Sequence, residues 1–351
     1  MFDVITIGSA TRDVFVFTEK LHQHKTADVA THTEACLPFG SKINIEQIQY
    51  DTGGGATNSA ATFARLGKFK VAALTSIGAD SRGQSVIKAL KADNINTALI
   101  QTSNRYNTAY SVIISPARSQ GERTILAYRG ASKEFNHHKI SWRKLRAKAF
   151  YVSSLGGDIA LLKKILAHAK KIGAQVAWNP GGQEIGRIKN YGLRIKNLVD
   201  FLILNREEAA ALTGEKFENT KGLLRALARF APSAIMTDGP KGAYAVVGKE
   251  HRAKSEEQKL YALRPKPYAA FYVPSVGHQP KNLTGAGDAF GSGFLTGWIK
   301  SHGDIKYALR LASFNADSVV QHVGAKNGIL EKIPSAKQMQ KLPVREMRLD
   351  K

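Results

Sequence analysis

The chain has 351 residues, 43% of them hydrophobic and 23% charged, which is enough for one large buried core or two smaller ones. Its single cysteine, Cys36, excludes an intrachain disulfide and a cysteine-based metal cluster, and no apolar run approaches the roughly 18 residues of a membrane span. The formal charge of +23 would attract anions, but no zinc-finger spacing, RNP-type aromatic motif or Arg-rich repeat accompanies it, so nucleic acid is not an expected partner.

The opening MFDVITIGSATRDVFVF lacks a basic segment ahead of an apolar core, so it does not read as a signal peptide, and a cytoplasmic location is expected. Residues 4–7 read as a first buried strand, with Asp13 nine residues after Val4. Residues 15–50 then show no helical period. Gly53-Gly54-Gly55 follows and runs into ATNSAATFARLG. Consecutive glycines permit positive φ and close backbone approach, and Asn58 falls in the first turn of the next helix, where its amide could bond a ligand hydroxyl. A plain turn and helix start explains the same residues. Residues 71–76 read as a strand. Residues 98–129, with alternating TAYSVII and RTILAY, read as strands without intervening helices. A small β-sheet lid, built from discontinuous segments at approximately 12–50 and 98–130, would account for both irregular regions.

Further strands are expected at 109–114, 150–153, 175–178, 201–204, 234–237 and 243–247. Helices are expected at 158–172 (DIALLKKILAHAKKI) and 220–230. This alternation implies a mostly parallel sheet covered by helices on both faces, with ligands collecting at the carboxyl ends of the strands. Asn205-Arg206-Glu207-Glu208 directly follows the strand FLIL. Asn205 and Glu208 have capping-box spacing, and the same amide and carboxylate could order waters around Mg²⁺. Thr237-Asp238-Gly239-Pro240-Lys241-Gly242 is a tight turn that could wrap a nucleotide. Residues 249–281 form a polar excursion or a long hairpin. The stretch NLTGAGDAF then opens an apolar helical run. A helix N-terminus welcomes anions, yet an acid, Asp288, stands there. It is either a cap or a base beside an anionic ligand. No GxxxxGK[ST] loop exists, and no GxGxxG follows the first strand.

Taken together and in this order, these segments resemble the PfkB (ribokinase-like) family of carbohydrate kinases over most of the chain. GGGATNSAATFARLG looks like the family's first signature and TGAGDAFGSGFLTGW like its second, which is the specific one. NREE is similar to its Asn-x-x-Glu motif, TDGPKGAY to its nucleotide-binding strand-turn, and ERTILAYRGA to a lid segment. The resemblance implies a single ribokinase-like domain over 1–351: a three-layer α/β/α body with a mostly parallel sheet, plus the small lid. It implies ATP-dependent transfer of a γ-phosphate to a hydroxymethyl group of a sugar or nucleoside. The alternatives are a sugar-phosphate acceptor, with Arg129 and Lys133 near its phosphate, or a catalytically silent binding module.

By the same resemblance, the N–H groups of Gly285, Ala286 and Gly287 would form an anion hole, and Asp288 would be the general base, kept ionised by the helix N-terminus. Asp13, Gly54 and Asn58 would bind the acceptor. Asn205 and Glu208 would act on Mg²⁺ through water. Thr237, Gly239 and Gly242 would line the nucleotide, and Asn315 would either contact its adenine side or be an exposed helix residue. A homodimer through the lid is a further expectation. In one place the pattern departs: Asn282-Leu283 stands where the family usually has Asp-Thr, an Asp that often helps to bind a monovalent cation. HVGAKNG, at 322–328, could offer backbone oxygens to such an ion.

Overall fold

Alternate residues along the central strands feed two separate cores. In Ala147–Val152, Phe150 and Val152 enter one apolar cluster, while Ala149 and Tyr151 enter another on the opposite face. Phe201–Asn205 repeats this, with Leu202 and Leu204 against Phe201 and Ile203. A strand buried on both faces must be apolar throughout, which is how these runs read. The computed structural model describes residues 1–26, 33–116, 123–191, 198–248 and 268–349.

In chain order the strands are β1 (Phe2–Ile7), β2 (Thr11–Thr18), β3 (His22–Lys25), β4 (Thr33–Cys36), β5 (Gln47–Gly53), β6 (Val71–Leu74), β7 (Ser76–Gly78), β8 (Gln101–Ser103) and β9 (Ala109–Pro116). They continue with β10 (Thr124–Tyr128), β11 (Ala147–Val152), β12 (Gln175–Trp178), β13 (Phe201–Asn205), β14 (Ser233–Thr237), β15 (Ala243–Gly248), β16 (Tyr268–Val273) and β17 (Arg345–Met347). The helices that matter for the site are α1 (Gly55–Arg65), α2 (Ser81–Ala92), α3 (Ile159–Ile172), α4 (Gly182–Tyr191), α5 (Arg206–Thr213), α6 (Thr220–Leu227), α7 (Ala286–Lys300) and α8 (Ile305–Val320).

The large sheet has nine strands in the order β17-β16-β15-β14-β13-β12-β11-β1-β6. From β6 to β14 neighbouring strands are parallel, and β15, β16 and β17 add antiparallel partners at one edge. Helices α3, α5 and α6 fill the first core, and α1, α2, α7 and α8 the second. A separate four-stranded sheet, β10-β9-β2-β5, stands beside the body. The chain is thus α/β, with a mostly parallel sheet between two helical layers and small additional sheets.

Several boundaries differ from the sequence expectation for physical reasons. The strand expected at 71–76 breaks at Thr75, and Ser76–Gly78 leaves the large sheet to pair with β8. Asp158 is not in α3 but caps it, accepting from Leu161 N at 2.9 Å. The helix expected to reach 230 stops at Leu227. The stretch 249–281 contains a regular strand, β16, pairing antiparallel with β15 as the second arm of a hairpin; residues 249–267 lie outside the described residues.

Candidate active site

The turns after β1, β11, β13 and β14 all lie at the carboxyl ends of parallel strands, where an α/β sheet leaves its crevice. Into this edge come the N-termini of α1 and α7. Gly54 enters α1 with φ 96°, and a Cβ there would lie 2.5 Å from Ser9 O, so only glycine lets α1 sit on the β1–β2 turn. Gly285 starts α7 in the left-handed conformation, φ 82°, with a notional Cβ 2.5 Å from the Cβ of Ala325. These two close approaches bring Asn58 and Asp288 together: Asn58 Nδ2 donates to Asp288 Oδ2 at 2.8 Å.

A cavity of about 260 Å³ opens over this pair. Asp13, Gly54, Asn58, Gly285 and Asp288 all line it, so five of the expected acceptor-side and catalytic residues share one space. Asp13 reaches it from β2; the residue is 5% exposed and accepts from Thr11 Oγ1 at 2.7 Å. Burial raises the Asp13 pKa, hydrogen bonds from Thr11 and Ser111 lower it, and the nearby Asp51 charge raises it again. Asp288 lines the cavity and is half-buried. Burial pushes its pKa up, the Asn58 hydrogen bond pulls it down, and Asp13 pushes it up. The net direction is upward, against the readily ionised carboxylate that the helix N-terminus alone would favour.

The turn itself leaves donors available. Ala286 N makes only a long 3.4 Å bond to Leu283 O, and Gly287 faces open space. The N-terminal N–H groups of a buried helix are a source of positive potential at this spot.

Asn205 and Thr237 are direct partners across β13 and β14, so the metal-side and nucleotide-side candidates adjoin one another away from the acceptor cavity. The capping box is formed: Asn205 Oδ1 accepts from Glu208 N at 2.7 Å and Glu208 Oε2 accepts from Asn205 N at 2.9 Å. Burial raises the Glu208 pKa, its backbone bond lowers it, and Glu207, Asp288 and Glu184 raise it further. Accumulated negative charge of this kind suits a divalent cation held through water, and the free lone pairs of Glu208 fit it. The 237–242 turn is open on the Gly239 side, where a Cβ would meet nothing within 4 Å.

Asn315 is a correction. It is fully buried, not exposed, and its amide is spent on structure: Nδ2 donates to Ala289 O at 2.9 Å and Oδ1 accepts from Leu330 N at 3.2 Å. It ties α8 to the first turns of α7 and has no surface left for adenine.

Some residues of consequence carried no signal of their own. Glu184, fully buried, accepts from Leu155 N, Gly157 N and Gly181 N and so shapes the turn that borders the cavity. Arg206, hidden inside NREE, pairs with Asp238 at 2.8 Å, donates to Phe217 O and Thr220 Oγ1, and stacks on Phe217 and Tyr244. It therefore holds Asp238, in the centre of the nucleotide-side turn. Arg206→Met is expected to leave Asp238 buried without its partner, at about 3–5 kcal/mol. A lower melting temperature and a raised KM for ATP, with the acceptor KM unchanged, would show it.

The profile of the pfkB family carbohydrate kinases matches residues 1–333. The chain belongs to this family. It is accordingly an ATP-dependent phosphotransferase with the family's fold. Among relatives of the pfkB-family kinase, a ribokinase of Haemophilus influenzae is 26% identical over 296 residues, 83% of this chain and 88% of that protein. A deoxyribokinase of Salmonella typhi is 24% identical over 291 residues, 81% of this chain and 86% of the other. Arabidopsis thaliana ribokinase, solved with ribose and ATP, superposes with a TM-score of 0.70 at 19% identity, covering 97% of this chain and 98% of that one. Among the described residues, no helix of this kinase is long and apolar enough to cross a membrane.

Proposed function

We propose that this pfkB-family kinase transfers the γ-phosphate of ATP to a hydroxymethyl group of a sugar or nucleoside, using Asp288 as general base. The observation that carries the reading is the shared cavity, in which Asp13, Asn58 and Asp288 converge beside the N-terminus of α7. Bound ATP supplies the phosphoryl group and Mg²⁺ shields its charge. Asp13 and Asn58 hold acceptor hydroxyls, and Asn58 also keeps the Asp288 carboxylate aimed into the cavity. Asp288 takes the proton of the attacking hydroxyl at Oδ. The N–H groups of Gly285, Ala286 and Gly287 stabilise negative charge on the transferred group. Asn205 and Glu208 hold the metal's waters, and Thr237, Gly239 and Gly242 form one wall for the nucleotide. The whole chain acts as one ribokinase-like domain, with the β10-β9-β2-β5 sheet as the lid over the acceptor.

A phosphorylated acceptor is a second reading, because Arg129 and Lys133 line the same cavity as Asp13 and Asp288. A coupled ADP-release assay with Mg²⁺-ATP across free sugars, nucleosides and sugar phosphates tests both. Turnover stimulated by one class and lost in Asp288→Asn supports the kinase reading and names the acceptor. Nucleotide binding without stimulation by any acceptor would favour a silent binding module.

The small sheet leaves Ile48, Tyr50 and Leu126 at least 45% exposed. Such a face favours pairing of two lids in a homodimer. Sedimentation should give twice the chain mass, and Tyr50→Lys with Leu126→Lys should return it to the monomer.

A further inference from the structure

The turn that opens α7 is backed by residues 322–328, with Gly285 packed directly on Ala325. A monovalent cation bound between these segments would need oxygens with lone pairs to spare. This chain has committed three of them. Asn282, neutral and 2% exposed, accepts from Thr284 N through Oδ1 at 2.8 Å. Val323 O accepts from Gln49 Nε2 at 3.2 Å and from Asn327 Nδ2 at 2.7 Å. Lys326 O accepts from Arg65 Nη1 at 2.8 Å and from Ile329 N at 3.3 Å. With a bonded neutral amide at 282 and these carbonyls occupied, the donor set fits an alkali cation poorly.

The same loop already contains a positive charge. Lys326 is 4% exposed, and its ammonium donates to Thr52 Oγ1 on β5, the residue next to Gly53. Three carboxylates act on it electrostatically: Asp51, Asp93 and Asp13. Asp93 is also paired with Arg65 at 2.8 Å, and a Cβ on Gly324 would lie 2.4 Å from Asp51 Oδ2. One side chain thus spans from the support of the anion-hole turn to the strand that leads into Gly54 and Asn58. Burial pulls the Lys326 pKa down, Asp51, Asp93 and Asp13 push it back up, and the Arg65 charge opposes them. The hydroxyl partner and two of the three carboxylates lie on β2 and β5.

We propose that Lys326 is the built-in cation of this kinase: a positioning residue whose ammonium ties the 322–328 loop to β5, so that the enzyme uses no K⁺ or Na⁺. The inference rests on the kinase reading for its catalytic consequence, whereas the absence of a bound ion can be read without turnover.

The test begins with thermal melting of the intact protein in KCl, NaCl and choline chloride at equal ionic strength, which needs no turnover. The expected result is one melting temperature in all three salts, with turnover likewise indifferent to the cation. A saturable, K⁺-specific rise in melting temperature overturns the proposal even if no acceptor has been found. In the active enzyme, Lys326→Met is expected to raise the acceptor KM about 10- to 100-fold, the loss of a charged hydrogen bond. The ATP KM should stay put, and Lys326→Arg should recover much of the loss. An unchanged acceptor KM in Lys326→Met overturns the positioning role. If Lys326→Met does not fold, Thr52→Val, which removes only the ammonium's hydroxyl partner, is expected to raise the acceptor KM alone; equal effects on both substrates would count against the proposal.

Discussion

Asp288→Asn should bind ATP and acceptor nearly as well as the native enzyme and turn over about 10²–10⁴-fold more slowly, the usual contribution of a positioned general base. The amide keeps the size of the side chain and can still meet Asn58, but it cannot take a proton. Single-turnover measurement with saturating substrates separates this from a binding defect. Turnover within threefold of native would remove the base assignment. The raised pKa of Asp288 adds a pH signature. Activity requires the ionised form, so kcat should fall on acidification at a pH above that of an ordinary carboxylate. Stability should move the other way. A carboxyl whose folded pKa exceeds its unfolded value is bound to its proton more tightly in the native state, so this group's contribution to stability rises as pH falls through that window. Above the window its charge is a cost. Asp288→Asn should therefore melt no lower than native at neutral pH, and higher if Asn58 keeps its bond.

The second large effect is expected at Asp13. Asp13→Ala removes a buried, charged acceptor of hydroxyl hydrogen bonds, at about 1.5–3 kcal/mol, or roughly 10- to 100-fold in acceptor KM. ATP affinity should barely change, because Asp13 belongs to β2 of the small sheet and the nucleotide-side turn follows β14. Calorimetry with each ligand separately reads the difference. Equal losses for both would make Asp13 structural.

The parts of the site most legible in the sequence were those where backbone geometry demands a residue type. Gly54 and Gly285 stand where any side chain would collide with Ser9 or Ala325, and such constraints write themselves as glycine clusters. Buried parallel strands wrote themselves as apolar runs for an equally direct reason. Illegible were the residues whose meaning depends on a distant partner. Lys326 lies 274 positions from Thr52, and Asn315 looked like any polar residue on a helix until Ala289 and Leu330 closed around its amide. Arg206 occupies a variable position of NREE, yet its buried guanidinium organises the 237–242 turn through Asp238. The strand β16 lies in the stretch that reads as an excursion or a long hairpin; its polar flank leaves little periodic trace, and its place between β15 and β17 is visible only in the sheet.

Helix α7 is buried at every residue from Ala289 to Trp298, wedged between the large sheet, α1 and α8. A rod so enclosed cannot swing, tilt or slide without opening the core that encloses it. Asp288 is therefore a fixed anvil. Under the proposed function, motion coupled to catalysis is expected in the small sheet, whose β10 is exposed along its whole length. Hydrogen exchange should report this division of labour directly, with α7 among the last amides to exchange and the β10 edge among the first. Acceptor binding should slow the edge and leave the anvil as it was.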